Sequence, residues 1–395
     1  MILTIRLSWK TDILSMNNKK YIIKYAVMIT LFWFSQYVYV PYQTPFLSGI
    51  NVSATFIGVV IGIYGFSQMI LRTPLGIAAD WKLNHQLLIF IGCLLAGIAS
   101  LFRLLMPSGM GFLIGNILSG IASSTWLSFM ILFFKINSPK TKDESMGFLV
   151  MFNNLGMLLG FIASSLLYKF IAMRGLCILS LIAGITSCLL SIHLPKFAYK
   201  NNNLNLVGKN FRKLFLNKKF LLCSFLAFVQ QGIQMSTTMS FTTEVVEKLS
   251  NVKYAEGLSS IIYMLSAVIF AKMTASKIIK KIDKRKIVVF SFIMLGGYCW
   301  LVPNMTSVYE VYALQLIPGF ATGILFAFLN SDAIGTASER FISSATGLFQ
   351  TLYAIGMTIF PVIAGYLENT FSLAISFYVF AGISVFAALI GVYKY

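Results

Sequence analysis

The second half of this chain repeats the first half, with corresponding positions 200 residues apart. The clearest example is the glycine pair Gly147 and Gly156, which recurs as Gly347 and Gly356. The other recurring pairs are Asn51 and Asn251, Gly97 and Gly297, and, one residue out of step, Gly120 and Gly319. When a duplicated unit consists of membrane helices, it is typical of secondary transporters, whose two similar halves rock about a site between them.

Each copy of the repeat is built from apolar stretches long enough to cross a membrane. Of the 395 residues, 58% are hydrophobic and 11% are charged, which excludes a water-soluble domain of this size. A helix needs about 20 apolar residues to cross a bilayer. The sequence has twelve such stretches, which we call spans 1 to 12: 22–48, 54–79, 86–106, 109–134, 146–169, 173–194, 219–243, 257–279, 287–305, 309–331, 343–367 and 371–393. They predict an all-α polytopic membrane protein made of two pseudo-symmetric six-helix bundles.

The net charge of +19 is distributed as in a protein inserted in a membrane. Basic residues dominate the connections between spans 6 and 7 and between spans 8 and 9, whereas the alternate connections are nearly uncharged or mixed. Such an excess of lysine and arginine marks the cytoplasmic side. We therefore expect a multi-pass protein of the cytoplasmic membrane, with both termini in the cytoplasm, in contact with the lipid bilayer. The same distribution argues against a nucleic-acid partner. Lys169 and Arg174, on an outer turn, are a local exception.

Hydrophilic segments divide the chain into four parts. We expect a cytoplasmic tail over 1–20, six-helix bundles over 21–194 and 219–395, and a basic cytoplasmic linker over 195–218. Met1 and Met16 are both acceptable as the first residue of the protein.

Several functional classes are disfavoured by what the sequence lacks. The five cysteines are scattered singly through the spans, which indicates neither a metal site nor a disulfide framework. There is no Walker-type glycine loop for ATP, and no catalytic constellation. We expect no cofactor and no enzymatic activity, and we expect a monomer.

The turn after span 2 carries the motif that connects this chain to a known family. There Gly76 precedes Asp80 by four residues, and Arg72 lies one turn earlier. This motif resembles the cytoplasmic signature of the major facilitator superfamily. The twelve spans and the basic central linker extend the resemblance over nearly the whole chain. The resemblance implies that Asp80 faces the start of span 11, at Ser343 and Ser344, where the helix dipole favours a negative charge. It thus implies a conformational latch formed by Gly76, Asp80 and Arg72.

Two other spans resemble efflux members of this family, with departures. Span 5 has Gly147, Gly156 and Gly160 at the spacing of the antiporter signature, but Phe161 stands where that signature has proline. In span 4, Asn116 occupies the position at which many proton antiporters carry an arginine. The pattern favours export, and import is the alternative.

By the same resemblance, spans 1, 4, 7 and 10 line a central cavity. Polar side chains in mid-membrane are costly unless they face protein or a cavity, so they are candidates for binding a substrate. The candidates are Gln36, Tyr39 and Gln43 in span 1, Asn116 and Trp126 in span 4, Gln230 and Gln234 in span 7, and Asn330 in span 10. In the alternative interpretation, serine and threonine hydroxyls in these spans bond to their own helix, and glutamine and asparagine amides join two helices. Pro41 and Pro45 are expected to bend or loosen span 1.

Charged residues are rare within the spans, and none of the acidic ones lies near a span centre. A proton-coupled carrier needs a group that gains and loses a proton as access alternates. The candidates are Asp332, near the inner end of span 10, and Glu244, near the outer end of span 7. A cavity of amides, hydroxyls and aromatic rings favours a neutral or amphipathic cargo.

These features lead to one main hypothesis and two alternatives on the same fold. The main hypothesis is a secondary active transporter that moves a small neutral or amphipathic solute by alternating access, with efflux favoured and the proton as coupling ion. The alternatives are a lipid or glycolipid flippase and an uptake permease for a neutral solute. A receptor or chaperone that does not transport is disfavoured by the helix-breaking Pro41, Pro45 and Pro361.

Overall fold

A computed structural model of the chain describes residues 21–81, 84–136, 142–194, 212–250, 252, 254–274, 279, 281–338 and 341–395. The side chains at 80, 81, 135 and 142–146 also lie outside the described part. The expected tail 1–20, most of the expected linker 195–218 and the side chain of Asp80 therefore lie outside the described residues. Within the described ranges the chain forms helices and turns and no strand.

The twelve spans are confirmed as helical in the described residues, and several of them are divided. In order from span 1 to span 12 their helices are 21–37 with Val40–Gly49; Ala54–Trp81; His85–Leu105; Gly109–Ser124 with Trp126–Ile136; Lys142–Ile192 for spans 5 and 6 together; Lys218–Ile233, Gln234–Phe241 and Thr242–Leu249; Ala255–Met273; Lys284–Leu301 with Val302–Asn304; Val308–Leu314 with Leu316–Ile334; Ile342–Thr370; and Leu373–Lys394. By length and composition alone, nine stretches of the described residues could cross a membrane. Spans 5 and 6 count as one of these, and the divided spans 1 and 7 are not among them.

Spans 5 and 6 are separated by a sharp turn at Ala172. Its backbone, at φ 51° and ψ −168°, is the one non-helical point between Lys142 and Ile192. An L-residue with a side chain rarely adopts this conformation, which costs about 1–3 kcal/mol. The turn lies at the outer end of both spans. The words "outer" and "cytoplasmic" follow the topology that the charges predict.

Replacing Ala172 by glycine is expected to stabilise the protein, because glycine adopts a positive φ without steric cost. The expected gain is about 1 kcal/mol, measured as a higher midpoint of thermal unfolding in detergent. The control is Ala163→Gly in the helical part of span 5, which should lower the midpoint because glycine in a helix costs about 0.5–1 kcal/mol. Equal effects of the two substitutions would contradict the strain at Ala172.

Spans 1 and 7 are broken near their middle. Span 1 is interrupted at residues 38–39, shortly before Pro41, which has no N–H to continue the helix. The expected loosening of span 1 is thus confirmed, although Pro45 stays within the next helix. Span 7 becomes a π-helix over Gln234–Phe241, and there the Ser240 hydroxyl donates to the Met235 carbonyl at 2.8 Å. Single π-helical turns are frequent at functional sites.

The repeated glycines mark equivalent helix contacts in the two halves. Gly120 of span 4 packs on the Tyr64 carbonyl of span 2, and Gly319 of span 10 packs on the Tyr263 carbonyl of span 8. The pair Gly156 and Gly356 likewise packs on the carbonyls of Thr30 and Phe228, in spans 1 and 7. Since equivalent glycines meet equivalent helices, the sequence repeat is also a structural repeat.

The two halves meet chiefly along spans 2 and 11, which pack together over most of their length. At the outer end a Cβ on Gly58 would collide with the Pro361 carbonyl. At the cytoplasmic end a Cβ on Gly76 would lie 3.2 Å from the Cα of Gly347. Spans 5 and 8 also touch at the outer end, where Gly257 packs on Ser165. Small residues permit such close approach in lipid.

Candidate functional site

A cavity between the two halves brings together half of the predicted substrate-binding residues. In this conformation it offers about 30 Å³ of space accessible to water, and spans 1, 2, 4 and 7 form its walls. Its lining residues are Gln36, Tyr37, Tyr39, Val40, Gln43, Thr44, Ile61, Tyr64, Asn116, Met235, Met239 and Ser240. We call it the central cavity. The structure therefore places Gln36, Tyr39, Gln43 and Asn116 around one space.

Gln36 leaves a hydrogen-bonding atom free at this cavity. Its amide nitrogen donates to the Ser119 carbonyl at 3.3 Å, whereas its buried Oε1 has no partner among the described residues. A buried acceptor without a partner costs about 1–3 kcal/mol. A ligand with an N–H or O–H group would remove this cost. The opposite wall, from span 7, is mostly apolar, since it consists of Met235, Met239 and Ser240, whose hydroxyl bonds to the Met235 carbonyl.

The other four predicted substrate-binding residues do not line the central cavity. Trp126 packs in an aromatic cluster, with its ring centroid 5.3 Å from that of Trp33. The Gln230 amide donates to Gln234 at 3.0 Å and to Thr322 of span 10 at 3.2 Å. This is the helix-joining role of the alternative interpretation. Asn330 lies in the cytoplasmic half of span 10, away from the cavity lining.

The hydroxyls of span 7 mostly bond to their own helix. The Ser236 hydroxyl donates to the Gly232 carbonyl at 2.8 Å, and the Thr237 hydroxyl donates to the Ile233 carbonyl at 2.6 Å. Such bonds use the donor hydrogens of these hydroxyls locally, so that only their acceptor oxygens remain for a substrate.

Arg103 of span 3 lies directly behind the central cavity. It is 1% exposed, and its Nη2 donates to Asn116 Oδ1 and to the Ser119 hydroxyl, both at 2.8 Å. Its guanidinium carbon is 4.0 Å from the centre of the Tyr39 ring. Asn116 in turn donates to the Val60 carbonyl at 2.6 Å. A buried arginine therefore positions two side chains of the cavity wall.

Arg103 lies near the outer end of span 3, and it is not among the site residues that the sequence predicts. Its position in the last turn of a largely apolar helix gives no indication of the polar partners on spans 1 and 4. Tyr64 and Gln68 of span 2 are also absent from the predicted site residues, because span 2 was not expected to line the cavity. Tyr64, Gln68 and Arg72 are spaced by four residues and so share one face of the helix, which is the signal that could have revealed them. Gln68 is fully buried, and neither of its amide atoms has a partner among the described residues.

Two of the three latch residues predicted in span 2, Gly76 and Arg72, contact span 11. A Cβ on Gly76 would lie 2.8 Å from the Ser343 carbonyl, so span 11 starts beside this glycine. Arg72 is buried, donates to the Tyr353 hydroxyl at 2.5 Å and lies over the same ring. The latch itself stays a prediction, since the side chain of Asp80 lies outside the described residues.

Carboxylates gather at the outer end of the second half. Glu244 of span 7 is buried and bonds to Lys248 at 2.8 Å, and Glu368 of span 11 lies beside it. Glu368 Oε2 is buried and has no partner among the described residues. Glu256, at the start of span 8, also has a buried Oε2 without a partner in the part of the chain that is described.

The other predicted proton-coupling residue, Asp332, lies at the cytoplasmic end in a different setting. Lys284 donates to it at 2.9 Å, the Lys219 ammonium is 3.7 Å away, and the Tyr395 hydroxyl donates at 2.8 Å. Two lysines and a hydroxyl stabilise the ionised carboxylate. This network joins spans 7, 9, 10 and the end of span 12.

Comparisons with known proteins agree with this architecture. The family model described as Major Facilitator Superfamily matches residues 25–271 and 255–395. A relative in Staphylococcus saprophyticus, the proton-coupled antiporter flippase LtaA, is 23% identical over 388 residues, covering 95% of each chain. An uncharacterized MFS-type transporter of Methanocaldococcus jannaschii, MJ1560, is 23% identical over 352 residues, covering 86% of this chain and 88% of its own.

Solved structures of transporters share the fold. The crystal structure of the nucleoside transporter NupG superimposes with a TM-score of 0.76 at 16% identity, covering 96% of this chain and 100% of that chain. A POT family transporter in complex with 5-aminolevulinic acid gives a TM-score of 0.77 at 14% identity, covering 93% and 94%. The family and these neighbours are transporters rather than enzymes, and they are multi-pass membrane proteins. With its twelve helical spans, repeated halves and central cavity, the chain belongs to the Major Facilitator Superfamily.

Proposed function

We propose that this chain exports a small neutral or amphipathic solute through the central cavity, in exchange for protons. The observation that carries the proposal is the unpaired Gln36 Oε1 in a cavity walled by both halves. The opposing Met235 and Met239 offer a flexible apolar surface. An uncharged molecule with one hydrogen-bond donor and an apolar part matches these two walls.

Movement between the halves is supported by the helix breaks. The span 1 interruption at residues 38–39 and the π-helix Gln234–Phe241 both adjoin residues that line the cavity. Irregular helical segments can absorb changes in backbone angles when packed elements slide or rotate. The cavity walls of the two halves would then part on one side of the membrane at a time.

The proposed function is tested with purified protein in proteoliposomes, using an amphipathic fluorescent dye and radiolabelled uridine as two probes. For an antiporter, uptake is expected when the lumen is more acidic than the outside, because outward proton flow drives the solute inward. Gln36→Ala should reduce uptake by about tenfold, as expected for one lost hydrogen bond of about 1.4 kcal/mol. The control is Gln86→Ala, which removes a half-buried amide of span 3 that bonds to the Ile192 carbonyl and does not line the central cavity. Uptake driven only by the opposite gradient would instead indicate an import permease, and transport of neither probe would contradict the proposal for these solute classes.

For the coupling proton we propose the pair Glu244 and Glu368. Glu244 and Glu368 adjoin beside a single lysine, Lys248, which compensates one of the two negative charges. A proton bound to the pair would neutralise the other charge. Asp332, which is paired with two lysines, has no uncompensated charge of this kind. The relative LtaA is described as a proton-coupled antiporter, which supports proton coupling in this chain.

Glu368→Gln is expected to abolish the acceleration of transport by a proton gradient, since glutamine cannot take up or release a proton. Exchange without a gradient should persist. The measurement compares initial rates at several lumenal pH values, at equal amounts of folded protein. Glu247→Gln is the control, because Glu247 is exposed on the same helix as Glu244. A full gradient response in Glu368→Gln would exclude this pair as the coupling site.

A lipid flippase is the second candidate, favoured by the similarity to the antiporter flippases LtaA. Those from Staphylococcus saprophyticus and Staphylococcus epidermidis match 95% and 80% of this chain, at 23% and 26% identity. The discriminating test measures movement of a fluorescent glycolipid between leaflets, by quenching with dithionite added outside. Movement of this lipid without uptake of the soluble probes would establish the flippase.

We further propose that the protein transports as a monomer, because both walls of the central cavity come from one chain.

We also propose a topology in which residues 21–194 and 219–395 form the two bundles. Both termini and the linker 195–218 then lie in the cytoplasm. Accessibility of single cysteines introduced at positions 20 and 205 to a membrane-impermeant reagent tests this topology.

A further inference from the structure

A second cavity opens at the outer end of the first half. It offers about 420 Å³ of space accessible to water and lies between spans 1, 3 and 6. Its lining residues are Phe46, Arg103, Leu104, Leu105, Pro107, Ala172, Met173, Arg174 and Cys177. We call it the outer cavity. Two arginines therefore stand among mostly apolar side chains.

Arg103, at the inner wall of the outer cavity, is a buried cation with neutral partners. It bonds to Asn116, Ser119 and Ser100. No described carboxylate lies within 4.0 Å of it, and its Nε has no partner among the described residues. A charge in a low-dielectric setting is costly unless an opposite charge compensates it. An anion in the outer cavity would supply that compensation.

Arg174 adds a second positive charge, on the exposed side of the same cavity. It departs from the charge pattern of the chain, in which basic residues are concentrated in the cytoplasmic connections. Arginine at an outer helix end therefore calls for a local explanation. A guanidinium binds phosphate oxygens in pairs, and two guanidinium groups on one cavity suit a single phosphate better than a neutral ligand.

The apolar surroundings indicate what carries that phosphate. Phe46, Leu104 and Met173 line the outer cavity. Beside them Leu105 is 70% exposed and Phe170 is 78% exposed, on the surface that faces acyl chains in a membrane. A phosphate placed at the depth of the headgroups and attached to an apolar chain matches both features.

We propose that the outer cavity binds the phosphate of an anionic phospholipid of the outer leaflet, between Arg103 and Arg174. This site is separate from the central cavity and does not depend on the nature of the cargo. Arg103 also holds Asn116 and contacts Tyr39, so its replacement would disturb both cavities. Arg174, which is exposed, is therefore the residue to vary.

The test measures thermal unfolding of the full chain in detergent during titration with dioctanoyl phosphatidylglycerol. Dioctanoyl phosphatidylcholine and inorganic phosphate are titrated in parallel. Wild-type protein should be stabilised by phosphatidylglycerol at lower concentrations than by the other two, because a ligand of the folded state raises its midpoint. Arg174→Gln should weaken the apparent affinity for phosphatidylglycerol by about tenfold or more. Lys169→Gln, an equal loss of charge on the same turn, should leave it unchanged.

Three results would overturn the proposal. Arg174→Gln with the affinity of the wild-type protein would remove the arginine from the site. Equal losses in Arg174→Gln and Lys169→Gln would indicate attraction to the general surface charge. Equal stabilisation by inorganic phosphate would indicate a soluble anion as the ligand in place of a lipid.

Discussion

Gly347→Val is expected to destabilise the contact between the two halves, whereas Gly147→Val, at the equivalent position of the repeat, is expected to leave the fold intact. A Cβ on Gly347 would lie 2.6 Å from the Arg72 carbonyl and 3.1 Å from the Cα of Gly76. Both neighbours are backbone atoms and cannot move aside alone. At Gly147 a Cβ would meet nothing within 4 Å. Overpacking of this kind costs about 1–3 kcal/mol or more.

The measurement is the midpoint of thermal unfolding of both variants, together with their yield in the membrane fraction. Gly347→Val should show a lower midpoint and a lower yield than the wild-type protein. Gly147→Val contains the same side chain in the same motif, so it controls for the lower helix propensity of valine. Equal midpoints for the two variants would mean that the cytoplasmic ends of spans 2 and 11 do not pack as described.

Arg103→Leu is expected to have the second large effect, because it removes the centre of a buried network. Asn116 Oδ1 and the Ser119 hydroxyl would each lose a charged donor at 2.8 Å. An acceptor left buried without a partner costs about 1–3 kcal/mol. The cavity wall would also lose the group that positions Tyr39 and Asn116. We expect a lower unfolding midpoint and a loss of transport.

Two comparisons separate the roles of charge and geometry in this network. Arg103→Lys keeps the positive charge but loses the planar arrangement of donors, and its midpoint should fall between those of Arg103→Leu and the wild-type protein. Arg174→Leu removes an exposed arginine and should leave the midpoint, measured without added phospholipid, nearly unchanged. A wild-type midpoint for Arg103→Leu would contradict the importance of the network.

Span number, order and approximate bounds could be predicted from the sequence, because apolar length is a local property. Span 2 illustrates this, since 54–79 was predicted and the helix is Ala54–Trp81. The break before Pro41 was also predictable, because proline acts on its own helix. The π-helix of span 7 was not, since Gln234–Phe241 contains no residue that requires this geometry.

The candidate site could be predicted only where a polar residue faces inward on an expected span. Gln36, Tyr39, Gln43 and Asn116 satisfy this condition. Trp126 does not, because its ring packs on Trp33 within the same half. Span membership and residue type cannot distinguish these cases, since the direction of a side chain depends on how its helix is rotated against its neighbours.

The membrane helices and the repeat are evident from the sequence alone. These follow from composition and from spacing along one chain, which do not require knowledge of neighbouring helices. Which repeated glycines lie against the backbone of another helix, and which polar groups meet, follows only from the folded arrangement. Gly147 and Gly347 have the same place in the motif, but the Arg72 carbonyl lies against Gly347 alone. Arg103 acquires a role because helices distant in sequence bring Tyr39 and Asn116 to it. A contact between two helices depends on the position and rotation of both, and the sequence of one helix does not specify where the other lies.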